Sequence, residues 1–145
     1  MKNEAIQPKE EERLISPEPE TNVSFSKQEI FGNLSLSLDS IRRRLMISGI
    51  INKIRQTFQI QLNTTRLISI KKVYSNIYIG QLRYRKLEEF LETIYLQFEF
   101  SDGRNAIHLP VYDRASNRLN ELPEIEKKVQ YWQDLLSEMR MLRQA

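Results

Sequence analysis

The chain has 145 residues, 40% of them hydrophobic, with 22 Lys and Arg against 19 Asp and Glu for a net charge of +3, a size and composition that suit one soluble domain. The absence of cysteine excludes disulfides, thiol nucleophiles and thiolate metal sites. One histidine, His108, is left as a possible metal ligand or imidazole base, and none of the four glycines stands in a Gly-x-Gly phosphate or dinucleotide pattern.

Residues 1–30 read as a disordered acidic tail. Pro8, Pro17 and Pro19 and the run Glu10-Glu11-Glu12 sit among few large apolar groups, too few to offset the entropy of ordering. A solvated tail is the simpler reading. The alternative is an arm that folds back on a basic surface. Residues 31–145 form the expected single α+β domain. Leu34, Leu36 and Leu38 alternate with Ser35 and Ser37, the pattern of a half-buried strand. Residues 41–58 are ambiguous. Ile41, Leu45, Ile51, Ile54 and Phe58 fit one helical face, while the isoleucine content and Gly49 also suit a strand; a helix over part of the stretch is the reading taken here.

Phe58, Ile60 and Leu62 alternate up to a turn at Asn63-Thr64-Thr65. The segments 67–73 and 77–84 are β-rich, and Leu87, Phe90, Leu91 and Ile94 fit a short helical turn. Ile94, Leu96, Phe98 and Phe100 then alternate up to Asp102-Gly103, a type I′ hairpin signal. That turn predicts Phe98 opposite Ile107, Leu96 opposite Leu109 and Ile94 opposite Val111, with Pro110 marking an edge strand. Ile125, Val129, Trp132, Leu136 and Met139 form one helical stripe broadened by Leu135 and Leu142. Pro123 and nearby glutamates suit its start, and Arg140 and Arg143 its end. The fold class expected is α+β, an antiparallel bent sheet or small barrel capped by a C-terminal amphipathic helix that buries Trp132.

Charge is distributed very unevenly along this pattern. Residues 40–87 hold Arg66 and ten candidate anion-binding residues, Arg42, Arg43, Arg44, Lys53, Arg55, Lys71, Lys72, Arg83, Arg85 and Lys86, without a single Asp or Glu. Both flanks are net acidic. Such separation implies either an acidic partner or mutual neutralisation within the fold. Arg42-Arg43-Arg44 cannot share one face on a helix or a strand, so part of that run is expected to be structural. Tyr74, Tyr78 and Tyr84 lie among bases and could stack on nucleobases, but half-buried tyrosines on a strand are the plainer reading, and no recognised nucleic-acid motif is present. His108 alternates with apolar positions and is expected on the less buried face opposite Gln97. Trp132 is expected in the core, and Asp113, Arg114, Ser116 and Asn117 in a solvated loop.

Two stretches resemble known families. Tyr95-Leu96-Gln97-Phe98-Glu99-Phe100, Asp102-Gly103-Arg104, Ile107-His108-Leu109-Pro110-Val111 and the following helix, within residues 58–142, resemble bacterial pleckstrin-homology-like domains. That resemblance implies a small antiparallel barrel or bent sheet capped by one helix, acting as an interaction module, often near a membrane, without obligatory catalytic residues. Leu38-Asp39-Ser40-Ile41 resembles the phosphopantetheine attachment site of acyl or peptidyl carrier proteins, with Ile54–Phe58, Leu62 and Leu67 after it; this implies modification at Ser40.

The function expected is non-enzymatic binding of an anionic partner through a basic face in residues 42–86. An acidic protein stands first, then an anionic membrane surface, then nucleic acid. No metal, cofactor or small-molecule substrate is expected. A carrier-like protein and a structural subunit of an assembly are the alternatives. With no apolar run of bilayer length and acids where a signal peptide would be apolar, the expected location is cytoplasmic, at most peripheral to a membrane.

Overall fold

Leu34, Leu36 and Leu38 point together into the core because side chains on a strand alternate, and all three are buried. They lie on β2 (Leu34–Asp39) of a computed structural model that describes residues 26–141. β2 sits between β1 (Lys27–Phe31) and β3 (Arg44–Ile51), and β4 (Ile54–Gln61) completes an antiparallel sheet in the order β1-β2-β3-β4. A second antiparallel sheet has the order β5-β6-β7, from β5 (Thr65–Tyr74), β6 (Leu91–Phe100) and β7 (Ile107–Asp113). The chain closes with α1 (Leu122–Met141).

The two sheets and the helix share one core. Leu36, Leu45, Ile47 and Ile60 come from the first sheet, Ile68, Ile94, Leu96, Phe98 and Leu109 from the second, and Val129, Trp132 and Leu136 from α1. Trp132 is enclosed, and its indole N–H points at Glu29 of β1 from 3.5 Å. Lys128 also pairs with Glu29 at 3.2 Å, and Lys72 of β5 with Glu126 at 2.8 Å, so α1 is tied to both sheets. The α+β class, the bent antiparallel sheets and the capping helix agree with expectation.

Several local readings change. The tail boundary expected at residue 30 falls inside β1, and Ser26 already donates to the Leu38 carbonyl at 2.8 Å; most of the tail lies outside the described residues. The helix read within 41–58 is instead the β3–β4 hairpin. Its two-residue turn, Asn52-Lys53, has positive φ at both positions (54° and 68°), as a type I′ turn requires. Gly49 does not interrupt this hairpin. A Cβ there would lie 2.2 Å from the Asn33 carbonyl oxygen, so glycine lets β3 approach the β1–β2 turn.

The third change is at 77–84, which is not a strand but part of a long loop. The fourth concerns the helical turn read over Leu87–Ile94: a 3-10 turn covers only Leu87–Phe90, and Leu91 and Ile94 belong to β6. The β6–β7 register agrees at Phe98↔Ile107, Gln97↔His108 and Leu96↔Leu109. It then slips, so that Ile94 faces Tyr112 rather than Val111. The irregularity follows Pro110, whose missing N–H weakens the ladder at that point. Only Gly103 of the Asp102-Gly103 pair has positive φ (83°), so that turn is not type I′. β7 is an edge strand, as Pro110 implied.

Candidate binding surface

The ten candidate bases divide by whether an acid or carbonyl from elsewhere in the fold reaches them. Arg42 and Arg44 both pair with Asp39, at 3.2 Å and 3.3 Å. Asp39 is buried, and burial by itself would push its carboxyl up; the Arg42 N–H, the Arg42 guanidinium and Arg44 outweigh that and hold it below the usual carboxylate range. Arg43, at φ 55°, donates to the Met139 and Arg140 carbonyls at 3.2 Å and 3.3 Å. Those are last-turn carbonyls of α1, where partial negative charge collects. The arginine run is therefore a clasp between the β2–β3 turn, β2 and the helix end.

Lys72 is held by Glu126, whose hydrogen bond raises the ammonium above its ordinary pKa. Arg85 pairs with Glu89 at 2.9 Å and lies over the Phe90 ring at 4.5 Å. Arg66, outside the candidate set, pairs with Glu99. Lys53, Arg55, Lys71, Arg83 and Lys86 make no ion pair with a described residue. Arg55 lies across from Ile50 on the first sheet. Lys71 borders a groove of about 600 Å³ that also involves Asn52, Gln56, Tyr95 and His108. His108 is exposed there, with its ring edge-on to Tyr95 at 5.8 Å. No carboxylate lines this groove to form an acid–base pair with it.

Arg83 and Lys86 belong to the loop between β5 and β6. Its neck is closed by Ser75, whose N–H and hydroxyl both donate to the Phe90 carbonyl, at 2.7 Å and 3.3 Å. Beyond the neck, Gly80 takes φ 87° and a 3-10 turn covers Gln81–Arg83. Gln81 organises the tip. Its side-chain oxygen accepts from Tyr78 N–H, its own N–H donates to the Tyr78 carbonyl, and its carbonyl accepts from Tyr84 and Arg85. These bonds hold part of the tip backbone, while the large apolar side chains stand in water.

Ile79 is fully exposed (106%), Tyr84 is 87% exposed, Tyr78 67% and Leu82 54%. Ile77 and Leu87 add two partly exposed aliphatics. Sequence reading took 77–84 as a β-rich segment with Tyr78 and Tyr84 half-buried on a strand, whereas both stand exposed on this loop. The clue was the unbroken run Ile77-Tyr78-Ile79: on a half-buried strand, successive residues cannot all face the core. The run then ends in Gly80, which interrupts a strand.

Ser40 is half-buried in the turn after β2. The whole segment 31–73 that resembled a carrier protein contains strands and one 3-10 turn but no α-helix. Among the described residues, no group of three or more His, Asp or Glu is placed to hold a metal ion, and no helix is long and apolar enough to cross a membrane. The chain matches no protein-family model, no curated protein and no solved structure.

Proposed function

We propose that this chain is a non-enzymatic interaction module, built on a pleckstrin-homology-like plan, that binds an anionic partner through the β5–β6 loop. The observation that carries the reading is that Ile79 and Tyr84, both almost wholly exposed, share a loop with Arg83 and Lys86, neither of which makes an ion pair with a described residue. An ordinary solvated loop does not gather so many large apolar groups, and a contiguous exposed patch of this kind marks an interaction site. Hydrogen bonds from Ser75 to the Phe90 carbonyl close the neck of the loop. Of the ten candidate bases, Arg83 and Lys86 are then the principal contacts, and Lys71, Lys53 and Arg55 supply background positive potential. Arg42, Arg43, Arg44, Lys72 and Arg85 serve the fold.

Heparin chromatography across a salt gradient tests this reading. Arg83→Gln with Lys86→Gln should elute at clearly lower salt than the wild-type protein, and more so than Lys53→Gln with Arg55→Gln, since each lost anion contact reduces the salt dependence. Equal elution of the two double variants would remove the loop from the reading. No retention of the wild-type protein at low salt would remove the anionic partner altogether.

A further inference from the structure

An acidic partner accounts for Arg83 and Lys86 but leaves the aliphatic groups beside them in water. Resting on the reading that this loop carries the interaction, we propose that the anionic partner is a lipid membrane. Ile79, Leu82, Tyr78 and Tyr84 enter its headgroup region while Arg83 and Lys86 meet anionic headgroups.

Three features support this partner. The first is shape. Ile79 at 106% exposure protrudes without any neighbour, whereas a protein partner would need a matching concavity to receive it. A bilayer interface accepts a convex apolar tip without one. The second is composition. Tyr78 and Tyr84 pair an apolar ring with a polar hydroxyl, the side-chain type enriched at the membrane–water boundary. Nucleic acid could stack on those two rings, but Ile79 and Leu82 offer no π-face and would remain unused.

The third feature is the backbone. A polar group taken out of water costs free energy unless it is already hydrogen-bonded. At this tip the N–H groups of Tyr78, Gln81, Arg83, Tyr84 and Arg85 donate within the loop, while those of Ile79, Gly80 and Leu82 have no acceptor among the described residues and need the hydrated headgroup level rather than the hydrocarbon. Two acids follow Lys86 in the loop, Glu89, which pairs with Arg85, and the exposed Glu88, so the stretch 77–85 carries only positive charge while the neck side of the loop is mixed. That charge complements an anionic leaflet, where each nearby Lys or Arg strengthens attachment.

Co-sedimentation of the full chain with vesicles of phosphatidylcholine alone, and of phosphatidylcholine mixed with phosphatidylserine, tests the proposal. The protein should bind the mixed vesicles and not the neutral ones. Ile79→Ser should weaken that binding by about tenfold or more, the scale of one aliphatic side chain returned to water, with heparin elution unchanged. Because Ile79 touches nothing in the fold, this variant should melt with the wild type. Ile79→Trp should be quenched by brominated lipids, since the native Trp132 is enclosed in the core. If Ile79→Ser binds mixed vesicles as well as the wild type, insertion is wrong. If mixed vesicles are not bound while heparin retention still depends on Arg83 and Lys86, the membrane is wrong and the anionic-partner reading stands. If neither vesicles nor heparin is bound, both fall. A concentration-dependent dimer abolished by Ile79→Ser, with no vesicle binding, would assign the tip to a second copy instead.

Discussion

The two ends of the basic stretch look alike as sequence and behave oppositely in the fold. Arg42, Arg43 and Arg44 come in a row, yet each is engaged within the chain, by Asp39 or by the α1 carbonyls. Arg83 and Lys86 sit in an equally acid-free segment and make no ion pair with a described residue, while the apolar residues between and around them stay in water. A run of positive charge therefore says little about binding until the partners arriving from other elements are known. The first region trades its charge for structure; the second keeps both charge and apolar area available.

The sharpest way to break this contrast is Asp39→Ala. It leaves Arg42 and Arg44 without their shared carboxylate and should lower stability by about 2–3 kcal/mol, less than a fully enclosed pair because both arginines are partly exposed. Chemical denaturation measures it, and a loss under about 0.5 kcal/mol, the range of an ordinary surface change, would show that the clasp is incidental. The same carboxylate makes a pH prediction. Its folded pKa lies below the unfolded value of about 3.9, so its contribution is fully present above that value and disappears as pH falls through the folded pKa. Asp39→Asn should therefore lose less stability than the wild type as pH drops below about 4.

Arg43→Ala should cost about 1–2 kcal/mol, because two charge-assisted hydrogen bonds to the end of α1 disappear. Thermal melting would register it, and an unchanged midpoint would detach the helix end from the β2–β3 turn. Gly103→Val should cost about 1–2 kcal/mol for a different reason: there is open space at that position, but φ of 83° resists a β-branched side chain. An unchanged melting point would mean the turn relaxes freely.

The smallest stability effect belongs to the other region. Arg83→Gln and Ile79→Ser should each stay within about 0.5 kcal/mol of the wild type, since neither side chain packs on the fold. The contrast sharpens if those two variants lose binding at full stability while Arg43→Ala loses stability at unchanged binding. It breaks if Ile79→Ser unfolds the domain.

Several elements were legible from local pattern alone. The α1 stripe, the alternation on β2 and the pairing of Phe98 with Ile107 each rest on periodicity that a single element imposes on its own residues. Residues 41–58 were not legible in that way. Leu45, Ile51, Ile54 and Phe58 satisfy both a helical and a strand spacing, and the turn between the strands, Asn52-Lys53, is weakly marked because lysine is not a habitual positive-φ residue. Gly49 read as an interruption because the Asn33 carbonyl it accommodates lies sixteen residues away.

The sequence by itself determined the class of fold, the helix that closes it and the presence of an unusually acid-free basic stretch. Only the tertiary structure decided which of those bases bind inward. Asp39 is the immediate neighbour of the stretch and Glu89 lies four residues after Arg85 in the same loop, but the Met139 carbonyl and Glu126 come from α1. The tertiary structure likewise decided that Ile77, Ile79 and Leu82 stand in water. β-propensity describes residues that fit a pleated, half-buried surface, and here no neighbouring strand arrives to supply one.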